Sequence, residues 1–241
     1  MKVAVVGAGA MGCLYAAAFH RAGAEVTLVD VNPEHIAAIN QRGLELDTRA
    51  GMERLPLPAL RPEQANEPAD LVVLFTKTYH TDPALDGVKA LIAPETPLLT
   101  LQNGLGNDEA VARHAARERV VVGVSTLPSD LVGPGRVRSH GEGGSKIYPA
   151  FGGDPAFAQT VAGLLTAGGL PTQLEPQIQA AIWSKAIFNA AMNTLCALTR
   201  RTPGFLGAHD EAQALMRAVV LEGVAAANAS DVAVEAQPIL D

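Results

Sequence analysis

Three groups of residues in this 241-residue chain have the types and spacing of chemistry. The first is Gly7-Ala8-Gly9-Ala10-Met11-Gly12, which has the pattern G-x-G-x-x-G. It follows the apolar run Val3-Ala4-Val5-Val6 and opens a helix-forming stretch, the context in which such a turn holds a pyrophosphate. Gly7 permits the tight turn, Gly9 lets backbone approach the phosphates, and Gly12 lets helix and strand pack closely. The helix start adds free N–H groups and partial positive charge. Asp30 ends the second apolar run, 18 residues after Gly12 (30 − 12). An acid near that spacing accepts hydrogen bonds from the ribose hydroxyls of NAD and repels the 2′-phosphate of NADP. Val31 and Asn32 follow and offer no guanidinium for that phosphate, so the residues alone favour NADH. The competing reading makes Asp30 a helix cap before Pro33.

The second group sits where two apolar runs end in polar residues. Leu71 to Phe75 runs into Thr76-Lys77-Thr78, and Pro97 to Leu101 runs into Gln102-Asn103-Gly104. In an open α/β sheet the crevice lies outside the carboxyl ends of the strands, which puts Lys77 and Asn103 at the cofactor edge. A solvated lysine and an Asn-Gly turn are the structural alternatives. The third group is Lys185, Asn189 and Asn193, spaced i, i+4, i+8 on one stripe of a helix whose other residues are mostly apolar. Such a helix is expected to be largely buried, and buried polar groups need partners, either a substrate or a neighbouring helix. A buried lysine has a lowered pKa and gives up its proton more readily.

Of the six histidines, none has a metal-ligand spacing, and no metal site is expected. His20, His35 and His114 read as surface residues of amphipathic helices, whereas His80, close to Lys77, is the rival general acid. Cys13 and Cys196 read as small core residues. There is no G-x-S-x-G and no Ser-His-Asp arrangement.

The elements that must position these groups alternate. Strands are expected at 3–6, 26–30, 71–75, 97–101 and 120–122, with helices at 10–22, 33–41, 82–92 and 107–116. Strands apolar on both faces alternating with helices specify a parallel sheet covered on both sides. Residues 124–151 are rich in glycine and β-formers and read as an antiparallel extension of that sheet. A helix at 155–167 and a strand at 170–174 follow, and from Pro176 the chain is helical, with helices at 177–199 and 208–229. The fold class is therefore α/β, a Rossmann-type doubly wound sheet over 1–175 followed by an all-helical domain over 176–241. At about 150 residues per domain, one full domain and a smaller one fit the length.

Apolar residues make up 48% and charged residues 18%, which excludes a disordered chain. Lys+Arg 18 against Asp+Glu 25 gives a net charge of −7 with no basic segment, which argues against nucleic acid. Two distant cysteines exclude a disulfide scaffold and fit a reducing, cytoplasmic setting. Glycines interrupt the uncharged stretch 3–20, so it reads as strand, turn and helix rather than as a secretory leader. No stretch has membrane-spanning length.

Together these residues resemble the ketopantoate reductase (2-dehydropantoate 2-reductase) family. The resemblance covers essentially the whole chain and includes the Gly7 to Gly12 turn, Lys77, Gln102-Asn103-Gly104, the Gly123 to Gly141 region, Trp183-Ser184-Lys185 through Asn193, and Glu222. It implies a Rossmann domain and a helical domain with the active site in the cleft between them. It also implies reduction of 2-dehydropantoate to (R)-pantoate by NADPH or NADH, a step toward pantothenate and coenzyme A. Carried over residue by residue, Lys185 is the general acid, Lys77 and Asn103 lie near the nicotinamide and the substrate, and Asn189 and Asn193 bind the substrate's hydroxyl and carboxylate end. A small 2-oxo acid is the implied partner, and a homodimer is the candidate assembly.

The chain departs from the family pattern twice. The family prefers NADPH and often has an arginine just after the second strand, where this chain has Asp30-Val31-Asn32. That points to NADH and to a relative acting on another branched 2-oxo acid. The family also continues with a Ser-rich segment and a further helix that carry a substrate-binding serine and an active-site glutamate. This sequence stops at Pro238-Ile239-Leu240-Asp241, so a helical domain that looks incomplete, and a catalytically impaired dinucleotide-binding protein, is the remaining alternative.

Overall fold

The chain opens with a βαβ unit. In the computed structural model, which describes residues 1–240, β1 (Lys2–Val6) leads through the glycine turn into α1 (Ala10–Arg21). β2 (Glu25–Val29) then returns parallel to β1, with Val3 opposite Val26. Short aliphatic runs without polar alternation make strands buried on both faces, and Val3 to Val6 are at most 3% exposed. α2 (Pro33–Arg42) starts from Asn32, whose Oδ1 accepts from the Glu34 and His35 amides at 3.0 and 3.2 Å, with Pro33 in the first turn.

β3 (Leu44–Thr48) and β4 (Gly51–Leu55) form a hairpin, and β5 (Ala59–Leu60) is a two-residue strand beside β2. Next come β6 (Leu71–Leu74), α3 (Thr81–Gly87), β7 (Leu98–Thr100), α4 (Asn107–Val111) and β8 (Val120–Ser125). β9 (Asp130–Gly133), β10 (Arg136–Ser139), β11 (Ser145–Pro149), α5 (Ala156–Ala167) and β12 (Thr172–Leu174) follow.

The main sheet has the order β12-β11-β8-β7-β6-β1-β2-β5. β1 has β2 on one side and β6 on the other, both parallel, so the strand order reverses between β1 and β6. The ligand crevice of a doubly wound sheet lies outside the carboxyl ends at that point. β11 pairs antiparallel with β8, as expected of the 124–151 segment. The β9–β10 hairpin departs from that expectation and joins β3 and β4 in a second sheet, β4-β3-β10-β9. The cause is a parallel pairing of β10 with β3, reinforced by ion pairs from Arg136 to Glu45 and Arg138 to Asp47, each at 3.1 Å.

Two helices are shorter than their patterns suggest. α3 gives way after Gly87 to a 3₁₀ turn at Lys89–Leu91, because Val88 leaves helical geometry at φ −117°. After α4 the chain tightens into i→i−3 bonds, His114 to Val111 among them.

The described residues fall into two units, one of Met1–Gln102 and Gly106–Pro176, the other of Asn103–Leu105 and the chain from Gln177. The second holds α6 (Ile178–Thr199), α7 (Pro203–Gly207), α8 (Asp210–Ala229) and α9 (Gln237–Leu240). Ile187 and Ala191 of α6 pack with Val220 and Ala227 of α8 and with Val234. α6 is less buried than its composition suggests: only Ile178, Ile187 and Ala191 are fully covered. Pairing with α8 buries one stripe of a helix rather than its whole circumference. No described helix is long and apolar enough to cross a membrane.

Candidate functional site

The glycine turn is fixed by the strands on either side of it. The Gly7 amide donates to the Val29 carbonyl and the Phe75 amide to the Val6 carbonyl, both at 2.8 Å. Gly7 has φ +95°, and a Cβ there would lie 2.8 Å from the Phe75 carbonyl carbon and the Thr76 nitrogen. A Cβ on Gly12 would lie 2.0 Å from the Gly7 carbonyl oxygen. Gly9 is different, since a Cβ there would meet no atom within 4 Å. No side chain caps α1, so its first-turn amides, at Ala10, Met11 and Gly12, keep their donors for another acceptor. An open face at Gly9 above an uncapped helix start is a cradle that fits a dinucleotide pyrophosphate.

Asp30 stands beside this cradle. Its Oδ2 accepts from the Ala8 amide at 2.7 Å and its Oδ1 from the Asn32 amide at 2.9 Å. Asn32, not Asp30, caps α2, which removes the capping alternative for Asp30. Two N–H donors leave acceptor sites on the carboxylate for ribose hydroxyls. A cavity of about 250 Å³ is lined by Gly7, Asp30, Val31, Thr76, His80 and Pro83. Arg42 lies in the last turn of α2 and donates to the Pro134 carbonyl at 3.3 Å. A larger cavity of about 450 Å³ adjoins Arg21, Arg49 and Met52 and holds none of the predicted site residues. Its arginines are already paired with Glu53 and Glu142.

Lys77 lies three residues past the end of β6 and is exposed, and its carbonyl accepts from the His80 amide at 2.8 Å. Gln102, which the sequence marks only as a polar strand end, is a hub. Its Nε2 donates to the Thr76 carbonyl at 2.8 Å and to Thr81 Oγ1 at 3.1 Å, and its Oε1 accepts from Thr100 Oγ1 at 3.0 Å. Asn103 is the next residue and is exposed. The structure thus brings the glycine turn, Asp30, Thr76 and His80 around one cavity, with Lys77 adjoining it in the chain.

Lys185, Asn189 and Asn193 lie on one stripe of α6, spanning about 12 Å at 1.5 Å per residue. Lys185 and Asn189 are half-buried and Asn193 is exposed. Burial pushes the Lys185 ammonium pKa down. Ser184 is occupied with the Ala180 carbonyl at 2.8 Å.

Two histidines differ from their surface reading. His114 is largely covered and bonds Asp82 at 2.8 Å. His35 is only 3% exposed, between the Gly135 amide and Cys13. The signal was there: Ala38 and Ile39, at +3 and +4 on the same helix face, are both buried.

The family description "Ketopantoate reductase PanE/ApbA" matches residues 3–150, and "Ketopantoate reductase PanE/ApbA C terminal" matches 177–241. A 2-dehydropantoate 2-reductase of Streptococcus pyogenes is 31% identical over 239 residues, covering 99% of this chain and 78% of that protein. Among solved structures, a D-mandelate dehydrogenase in ternary complex with NADH and anilino(oxo)acetate aligns with a TM-score of 0.95 at 28% identity, over all of this chain and 78% of that one. The 2-dehydropantoate 2-reductase of Geobacter metallireducens aligns with a TM-score of 0.92 at 30% identity, over all of this chain and 81% of that one.

Proposed function

The chain belongs to the ketopantoate reductase PanE/ApbA family of oxidoreductases, and on that premise we propose that it reduces the C2 carbonyl of 2-dehydropantoate with NADH, Lys185 acting as general acid. The observation that carries the reading is the α6 stripe, a half-buried lysine with its pKa lowered by burial and an asparagine one and two turns on. When bound, the reduced nicotinamide supplies the hydride. As C2 is reduced, negative charge builds on its oxygen, and the Lys185 ammonium both stabilises that charge and delivers the proton. The Asn189 and Asn193 amides hold the substrate's hydroxyl and carboxylate end, which fixes which oxygen faces Lys185. Lys77 and Asn103 flank nicotinamide and substrate. His80 lines the same cavity as Asp30, the ribose-side carboxylate, and on this reading is not the acid.

The amides of Gly9, Ala10 and Met11 hold the pyrophosphate, and Asp30 takes the adenosine ribose hydroxyls. Asp30 is a fixed negative charge with two amides on it, Val31 and Asn32 bring no positive charge, and Arg42 is engaged at Pro134. A 2′-phosphate meets repulsion there, which favours NADH over NADPH.

A second reading, reduction of another 2-oxo acid, is favoured by Asp30 together with the likeness to a D-mandelate dehydrogenase that binds NADH and anilino(oxo)acetate. The test is kcat/KM with both reduced cofactors across 2-dehydropantoate, branched 2-oxo acids and an aromatic 2-oxo acid. The expected result is the highest value for 2-dehydropantoate with NADH. A higher value for another acid establishes the second reading, no turnover with any acid overturns both, and a preference for NADPH overturns the role of Asp30.

A further inference from the structure

We infer that Cys13 and His35 form a buried hydrogen-bond relay that sets the orientation of the nucleotide-binding turn, as positioning residues that do not themselves touch the dinucleotide. The inference rests on the dinucleotide reading given above. Neither side chain has a part in the proposed chemistry, and both are enclosed, Cys13 fully and His35 to within 3%.

The relay has a direction that the geometry fixes. The Gly135 amide donates to His35 Nδ1 at 3.0 Å, so Nδ1 is the unprotonated acceptor and the ring proton sits on Nε2. Nε2 lies 3.7 Å from Cys13 Sγ, within reach of a hydrogen bond to sulfur. The thiol in turn donates to the Ala8 carbonyl oxygen at 3.0 Å, and the Ala8 amide donates to Asp30 Oδ2 at 2.7 Å. Each group donates once, from Gly135 to His35 to Cys13 to Ala8, and Ala8 passes the last bond to Asp30. Burial and the negative charge of Asp30 keep the Cys13 thiol protonated, the state the donation requires.

The consequence falls on the phosphate cradle. A trans peptide is planar, with its C=O and N–H on opposite sides. Holding the Ala8 carbonyl inward on Cys13 therefore turns the Gly9 N–H outward, at the residue whose side is open. The far end of the relay is anchored as well. Gly135 lies in the turn between β9 and β10 at φ +71°, where a Cβ would come within 3.1 Å of the Ala38 Cβ of α2. Arg42 holds the neighbouring Pro134 carbonyl. The hairpin of the second sheet is thus tied to the turn that faces the cofactor.

The test uses Cys13→Ala, which removes the donor to Ala8, and Cys13→Ser, which keeps one. NADH affinity is measured by fluorescence titration, and steady-state kinetics are run with the 2-oxo acid that the parent turns over. Cys13→Ala is expected to raise Kd and KM for NADH about three- to tenfold, the range for one lost hydrogen bond, with kcat at saturating NADH within twofold. Cys13→Ser is expected to return both constants to within twofold of the parent. An unchanged Kd in folded Cys13→Ala, or equal losses in both variants, overturns the relay and leaves a packing role only. A parent that binds neither NADH nor NADPH overturns the dinucleotide reading and the relay with it. The ¹⁵N signals of His35 in the parent, free of any folding defect in a variant, are expected to report the Nε2–H tautomer; an Nδ1–H tautomer overturns the relay.

Discussion

The side-chain amide of Gln102 donates to the Thr76 carbonyl oxygen at 2.8 Å and so joins the carboxyl ends of β7 and β6. Lys77 follows Thr76 in the chain, so this contact holds the backbone that leads into a proposed site residue. Thr81, Thr100 and the Thr76 hydroxyl also bond this side chain. Gln102→Leu keeps the volume and takes the side-chain partner from the Thr76 carbonyl and from the hydroxyls of Thr76, Thr81 and Thr100 at a part-buried position. The variant is expected to lose about 1–3 kcal/mol of unfolding free energy in urea and to show a raised KM for both cofactor and 2-oxo acid. A parent-like urea midpoint and KM would mean that the hub carries no energy.

The last two glycines of the turn, Gly9 and Gly12, separate folding from binding. At Gly12 a Cβ would stand 2.0 Å from the Gly7 carbonyl oxygen, so Gly12→Ala forces β1 and α1 apart. Overpacking of this kind costs about 1–3 kcal/mol or more, and the variant is expected to unfold at lower temperature or to accumulate poorly. At Gly9 a Cβ enters open space with the backbone at φ −66°, so Gly9→Ala is expected to match the parent in thermal unfolding to within a few degrees. The same methyl occupies the pyrophosphate cradle, and Kd for NADH is expected to rise at least tenfold. Loss of stability in Gly9→Ala without loss of NADH affinity would reverse the assignment.

The parallel sheet and the glycine turn were legible because their signals are local. The runs at 3–6 and 71–74 carry their own burial pattern, and the spacing from Gly12 to Asp30 is the length of one helix and one strand. The second sheet was not legible, because β10 finds its partner β3 about 90 residues away. Arg136 and Arg138 look like an ordinary solvated face until Glu45 and Asp47 stand opposite them. His35 was misread for another reason: its polar type outweighed its place on the same face as Ala38 and Ile39. The hub role of Gln102 needed the ends of two strands and α3 brought together in space, and no spacing within Gln102-Asn103-Gly104 encodes that.

Asp82 links α3 to the turn after α4, and its protonation is a readout of that link. A bidentate bond from Arg113, with a second bond from His114, pushes its carboxyl pKa down to about 2 from an ordinary 3.8. Between those values the unfolded chain binds more protons than the folded one, so stability rises with pH through the window. The contribution is complete above pH 3.8 and is lost as pH falls through about 2. Asp82→Asn is expected to lower stability at neutral pH slightly and to flatten the acid limb of the stability curve below pH 4. The measurement is urea midpoint against pH for the two proteins, and parallel acid limbs would remove Asp82 from the acid response.

The proposed role of Lys185 sets activity and stability against each other. Its pKa is lowered by burial, so at neutral pH the folded protein bears the cost of a desolvated ammonium. The folded-state pKa lies below the unfolded 10.5, so between the two the unfolded chain binds the extra proton and stability increases with pH. Lys185→Met removes the charge, keeps the length and apolar stem, and is expected to flatten that rise of stability with pH. With Lys185 as the proposed proton donor, kcat is expected to fall about 10²- to 10⁴-fold, the range for general acid catalysis. NADH affinity is expected to stay within twofold. In the parent, kcat/KM is expected to decline with rising pH through the Lys185 pKa, below the ordinary lysine range, and that limb is expected to vanish in Lys185→Met. A variant that keeps its turnover, or a parent whose alkaline limb survives the substitution, would assign the proton to another group.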